Sequence, residues 1–381
     1  MRDGTLVTPS RITLARKRRG MTIVELARRI DVSTQSLSNY ERGRQQPSKE
    51  TLKRVADALK FPPDFFQGED LEEIQPDSVA FRARSKMSAG KRDVALSVGR
   101  LAVEVERYIS TRFRLPEADI PTLEKPAPEI AAEMVRSRWG LGQIPVSNMV
   151  HLLESRGIRV FSLAPEYAEV DAFSFWQEDK PFIFLNTLKS AERSRFDAAH
   201  ELGHLVMHGL SRNVAGPEAE QEANAFASAF LMPRKSVVAH MPSGAFVDQI
   251  IKGRRIWKVA ALALAYRLHD LNILSDWQYR SACVELSKRG YRSSEPGGIQ
   301  RETSQIFDKV FRSLRGRGVN PSEVAVALNI TPQELSQYVF GLTITTHHGE
   351  GHNTEGPRPK LRLISSTNDD LPDSTSRRAH G

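Results

Sequence analysis

The sequence predicts an α+β fold that is predominantly helical: an N-terminal all-α helix-turn-helix domain, a central metal-binding domain with a small β-sheet, and a C-terminal helical extension. Three patterns point to it. Short helical runs broken by tight turns fill residues 11–66, two strand-like runs near 170–186 read as a hairpin, and a helical pattern over 191–208 holds His200-Glu201-Leu202-Gly203-His204. The 381 residues suit two or three domains, and 40% hydrophobic with 26% charged residues is a globular composition. The sequence has neither a signal peptide nor an apolar run of membrane length, so the expectation is a cytoplasmic protein with no membrane partner. The single cysteine, Cys283, excludes an internal disulfide framework and a cysteine zinc site, and reads as a small core residue.

In the first domain, Leu14, Ile23, Leu26, Ala27, Ile30, Val32, Leu37, Tyr40, Leu52, Val55 and Leu59 form a shared core at helical spacing. Turns fall at Gly20-Met21, Asp31-Val32 and Gly43 to Pro47. Thr22 and Ser33 are placed to cap the second and third helices, and Asp31 can enter left-handed space where Gly is more usual. Residues 8–68 are therefore assigned as a helix-turn-helix domain. The segment VSTQSLSNYERGRQQPS resembles the recognition helix and following loop of the XRE class of bacterial repressors, through Tyr40-Glu41-Arg42-Gly43 and the Pro47-Ser48 restart. The resemblance implies double-stranded DNA as a partner, and pairing to read two half-sites would make a homodimer. In a recognition helix starting at Ser33, the side chains of Thr34, Gln35, Ser36, Ser38 and Asn39 are placed to meet base edges, and Arg42 and Arg44 suit phosphates. Residues 1–68 carry 14 Lys/Arg against 7 Asp/Glu, a net +7 beside the whole chain's +8, so the basic field is localised.

Residues 69–125 read as a helical connector. Within it, 85–114 is a long, basic, weakly amphipathic stretch, and the four prolines of Leu115 to Pro128 form a natural boundary. Its Lys and Arg residues are read as a solvated helix face, not a second DNA site.

The HELGH helix is framed by Ser190 as a cap and by Phe196, Ala199, Leu202, Leu205 and Val206 as an apolar flank running to Gly209. At 3.6 residues per turn His200 and His204 lie about 40° apart on one face, so both imidazoles can reach one ion. Glu201 lies about 100° from His200, where it can take a proton from water without being a ligand. A third ligand is required. The metzincin spacing fails, because Met207 and Leu210 stand where Gly and His would be needed. His208 lies about 12 Å along the axis from His200, too far to share an ion, and reads as a helix-end or rim residue. A second helix, Pro217 to Pro233, has Ala223, Phe226, Ala227 and Phe230 on its inner face. Its acids Glu218, Glu220 and Glu222 are the candidates, and spacing alone does not choose among them.

The run SRFDAAHELGHLVMHG followed by EANAFASAFLMP resembles the ImmA/IrrE family of bacterial metallopeptidases. The likeness extends upstream through AAEMVRSRWGLG, LLESRGIRVFSL and VDAFSFW to PFIFLN, which makes 126–290 a zincin-like metallopeptidase domain. FRARSKMSAGKR (81–92) also resembles the connector of proteins that fuse these two modules. In the family, the glutamate just before the Ala-Asn pair completes the zinc site, which implies Glu222 as third ligand of one Zn(2+) per chain. Zinc on His200, His204 and Glu222 would bring the pKa of a water toward about 7, with Glu201 accepting the proton and passing it to the leaving amine. The hairpin of Val170 to Phe175 and Phe182 to Asn186 would offer an edge to a substrate strand, although a purely structural hairpin fits the sequence equally. For the oxyanion, Tyr167, Arg195 and His208 are nearby in sequence, and none is selected.

Beyond the peptidase core, Val259 to Leu274 reads as a buried helix, and 291–342 as a helical extension. Pro321 to Leu342 has a helix-turn-helix rhythm, with Thr331-Pro332 opening the second helix. Glu323, Glu334 and few basic residues favour packing over DNA reading. The tail, 343–381, is polar and aperiodic apart from a strand-like Leu361 to Ile364, and its His347, His348 and His352 read as solvated. Two functions follow. One is a zinc endopeptidase that cuts a protein substrate, a helix-turn-helix repressor by family resemblance, in a stress or mobile-element response. The other is a transcription factor whose peptidase fold is a sensor or dimerisation module, with a toxin-antitoxin-like regulator as a related case. Retention of Glu201 beside the metal ligands favours the first.

Overall fold

The computed structural model describes residues 6–75, 79–83, 88–123, 126–163, 170–209, 216–341 and 362–363. Four helices open the chain: α1 (Pro9–Arg18), α2 (Ile23–Arg29), α3 (Thr34–Glu41) and α4 (Lys49–Leu59), followed by a 3-10 turn at Pro63–Gln67. Each start has a local cause. Pro9 stands in the first turn of α1. The Thr22 hydroxyl accepts the Glu25 N–H while the Glu25 carboxylate accepts the Thr22 N–H, and Ser33 and Ser48 cap α3 and α4. Asp31 takes the left-handed conformation at φ 54°, as its turn requires. The sequence-derived core is buried, with Ile23 and Val32 partly so.

The connector departs from a purely helical expectation. Val79–Ala83 forms a strand, β1, before the long helix α5 (Ala89–Ser110) and the short β2 (Phe113–Arg114). A sequence with two aromatic or branched residues among five carries little period-2 signal, so only the partner strand reveals it.

The central domain runs α6 (Pro128–Arg138), α7 (Met149–Ser155), β3 (Arg159–Leu163), β4 (Val170–Gln177), β5 (Lys180–Asn186), α8 (Ala191–Met207) and α9 (Pro217–Leu231). Helices α10 (Arg234–His240), α11 (Val247–Trp257), α12 (Ala261–Asp270) and α13 (Asp276–Lys288) complete it. The extension holds α14 (Gln305–Gly316), α15 (Pro321–Ala327) and α16 (Pro332–Tyr338). Arg362–Leu363 forms β6, paired with β2; His347, His348, His352 and the rest of the tail lie outside the described residues.

The four-stranded sheet has the order β1-β4-β5-β3, with β4 antiparallel to both β1 and β5, and β3 parallel to β5. Strand alternation separates its faces. Phe173, Phe175, Phe182 and Phe184 stack on one side, where Phe173 and Phe184 are 4.3 Å apart at their ring centroids. Ala172, Ile183 and Leu185 line the other, in the core that contains α8 and α9. The aromatic face belongs to the same core as the helix-turn-helix domain, α5 and α14–α16.

Close approaches fix this arrangement. A Cβ at Gly99 of α5 would fall 2.8 Å from Ile74 Cδ1 and 3.1 Å from Phe175 Cε1, so a larger residue there would have to displace those two side chains. Arg18 of α1 is fully buried and donates to Glu334 of α16 at 2.6 Å, while Arg19 Nη1 reaches the same carboxylate at 2.8 Å. The packing role expected for the α15–α16 pair is thus carried by one of its acids.

Candidate metal centre

Ser190 caps α8 by accepting the Arg193 N–H, and the helix presents His200 and His204 as one face. Their Nε2 atoms are 3.0 Å apart and both rings are buried. The carboxylate of Glu220 on α9 straddles them, at 3.4 Å from His200 Nε2 and 3.2 Å from His204 Nε2. A tetrahedral ion with bonds near 2.1 Å holds neighbouring donors about 3.4 Å apart, so this spacing fits a zinc ion with its fourth position open. His200, His204 and Glu220 are the cluster of the described residues with that geometry.

Glu222 stands elsewhere, which corrects the assignment implied by resemblance. Its Oε2 lies 2.8 Å from His208 Nε2, and His208 Nδ1 lies 3.1 Å from His204 Nδ1. Residues two apart on a helix diverge by about 200°, so α9 cannot aim Glu220 and Glu222 at one point. Glu222 instead completes a relay. With His208 Nε2–H donating to the Glu222 carboxylate, His208 Nδ1 accepts from His204 Nδ1–H, and the His204 Nε2 lone pair is left facing Glu220. His200 is set the same way by a different partner, its Nδ1 lying 3.1 Å from Asn224 Oδ1.

Burial by itself would push the Glu220 carboxyl up. When the two imidazoles carry their Nε2 protons, their hydrogen bonds and attraction outweigh it and hold the group far below the usual carboxylate range. Glu201 is fully buried and accepts a hydrogen bond from Ser174 Oγ of β4 at 2.6 Å. It is beside the cluster but not part of it. Of the oxyanion candidates, Arg195 donates to Glu302 and to the Val146 carbonyl, a structural role, and Tyr167 lies outside the described residues.

Residues 12–66 match the helix-turn-helix family model, and residues 153–269 match a peptidase family model described as the IrrE N-terminal-like domain. The chain joins a helix-turn-helix domain to an IrrE N-terminal-like domain. No curated protein matches it. The IrrE-like match spans β3 through α12 and so contains both histidines, Glu201, Glu220 and Glu222. The outer edge of β4, one strand of the hairpin that the sequence reads equally as a substrate edge or as structure alone, is paired with β1, which comes from outside that match.

In the helix-turn-helix domain, Thr34, Gln35, Ser38 and Asn39 share one face of α3, opposite the buried Leu37 and Tyr40. Thr34, Gln35, Arg42 and Arg44 are exposed, whereas Ser36, Ser38 and Asn39 are half-buried, and Gln35 donates to Asn39 at 3.1 Å. The basic excess is only partly outward. Arg16 pairs with Glu41, Arg11 donates to the Glu69 carbonyl, and Arg18 and Arg19 are held by Glu334. Arg28, Arg29, Arg42, Arg44, Lys49 and Lys53 remain exposed. Among the described residues, no helix is long and apolar enough to cross a membrane.

Sequence reasoning missed Asn224, Ser174 and the role of His208. Ser174 had a signal: it is the one hydroxyl in the strand Val170–Gln177, and it falls on the same side as Ala172.

Proposed function

We propose that the chain is a cytoplasmic DNA-binding regulator carrying a zinc-dependent endopeptidase, which hydrolyses a peptide bond in a regulatory protein, a helix-turn-helix repressor. The convergence of His200, His204 and Glu220 beside a non-ligating Glu201 carries this reading. These three residues would hold one zinc ion, which when bound supplies a Lewis acid for the scissile carbonyl and makes water more acidic. Glu201 takes the proton of the attacking water and returns it to the leaving amine, with Ser174 fixing which carboxylate oxygen faces inward. Asn224 and the His208–Glu222 pair keep each ligand histidine in the tautomer that offers Nε2. The α3 face of Thr34, Gln35, Ser38 and Asn39 would read bases, with Ser36 at its edge and Arg42 and Arg44 on phosphates.

The test is cleavage of candidate repressors by zinc-loaded protein. Glu201→Gln is expected to keep its zinc and stop cutting. Equal behaviour of wild type and Glu201→Gln on every candidate leaves the sensor reading standing. A gel shift with Gln35→Ala and Asn39→Ala, on the promoter region of the chain's own gene, tests the DNA contacts.

A further inference from the structure

We infer that β1 fills, within its own chain, the position beside β4 that a substrate strand would take, and so holds the peptidase closed until β1 is displaced. This rests on the peptidase reading above. Strand β4 is the strand that touches the general base, through Ser174 and Glu201. An extended substrate presented to that base would add to the free edge of β4 by main-chain hydrogen bonds, because such addition needs unpaired N–H and C=O groups. That edge is taken. Val79 to Ala83 run antiparallel along it, with Ala80 directly opposite Ser174 and Val79 opposite Phe175.

The burial of the centre is the second observation. His200, Glu201 and His204 are each no more than 1% exposed, and Ser174 and Ala80 are at 1% and 2%. Glu220 is 34% exposed at its side chain, so the centre reaches solvent on the α9 side, while its β4 side, where a substrate strand would lie, is covered by β1.

The third is that β1 is built to leave. It is five residues long, and its register breaks between Arg82 and Ala83, where a bulge interrupts the ladder. It lies outside the matched peptidase segment, and Val79 at its start is buried in the core shared with α5, as are Leu71 and Ile74 just before it. Release of β1 therefore uncovers Val79 and Ala80. Its occupant in the open state is an extended, strand-forming peptide segment, the form a loosely held connector of a repressor would offer.

A reversible lock tests this in the full chain on a Cys283→Ser background. Arg82→Cys with Ala172→Cys places two thiols at directly opposed positions, where antiparallel Cα atoms are about 4.5–5.5 Å apart and a disulfide can close. The oxidised, zinc-loaded protein should yield its metal to a chromophoric chelator about fivefold or more slowly than the reduced form, and should not cut. Ala80→Pro, which removes a ladder donor, should release metal about fivefold faster than wild type and cut faster. Chelator rates that are the same in oxidised and reduced lock, and in wild type and Ala80→Pro, overturn the inference. Chelator rates that move as expected with no hydrolysis in any form would instead remove the peptidase reading, and with it the inhibitory meaning of β1. If Ala80→Pro does not fold, the lock decides alone, since its two forms are one polypeptide.

Discussion

Replacing Glu220 and Glu222 one at a time separates a metal ligand from the residue that only steadies one. Glu220→Gln keeps the shape of the side chain but removes the charge that sits 3.2 and 3.4 Å from the two ring nitrogens, leaving two neutral imidazoles to hold a dication. Glu222→Gln leaves all three donors in place. Its amide oxygen can still accept from His208 Nε2–H, so what is lost is the polarisation passed from Glu222 through His208 to His204. Partners of ligand histidines are worth about 10–100-fold in metal affinity, or about 1.4–2.8 kcal/mol. Glu222→Gln should fall in that range, and Glu220→Gln should lose more than about 100-fold, the upper end of that range. Titration of metal-free protein with zinc against a competing chelating dye, at pH 7.5, measures both. The outcome that refutes the geometry is a larger loss in Glu222→Gln than in Glu220→Gln, which would restore the ligand implied by family resemblance.

Two further outcomes follow from buried charges. Glu334→Ala strands Arg18, which has no solvent exposure, and should cost about 3–5 kcal/mol in urea unfolding. A loss below about 1 kcal/mol would show that α1 and α16 are not held by this pair. Glu154 of α7 is fully buried against the N-terminus of α14, and burial pushes its carboxyl up to about 7 from 4.5, against the pull of the Ser304 hydroxyl and the Gln305 and Ile306 N–H groups. The folded chain then holds a proton that the unfolded chain has released, so stability from this group is fully present below about pH 4.5. It declines as pH rises to about 7, by about 3 kcal/mol. Unfolding between pH 5 and 8 should show that decline in wild type and not in Glu154→Gln, and equal slopes would sink the assignment.

Much of this molecule is written in local signals. The caps Thr22, Ser33 and Ser190, the left-handed Asp31, and the α8 face of His200 and His204 are decided by side chains within one turn of each other, so the sequence determined them alone. It also determined that an acid on α9 would complete the cluster. Which acid was a matter of how α9 is rotated against α8, and that rotation is set by Ala223 and Phe226 packing against Gly203, whose missing side chain lets the helices approach. Pairing across the chain was equally out of reach. Arg18 and Glu334 are 316 positions apart, and β1 lies about ninety residues before the strand it covers, so no window of sequence contains both partners. Helix faces and caps follow from bonds to near neighbours, whereas a strand has no partner until the fold brings one to its edge.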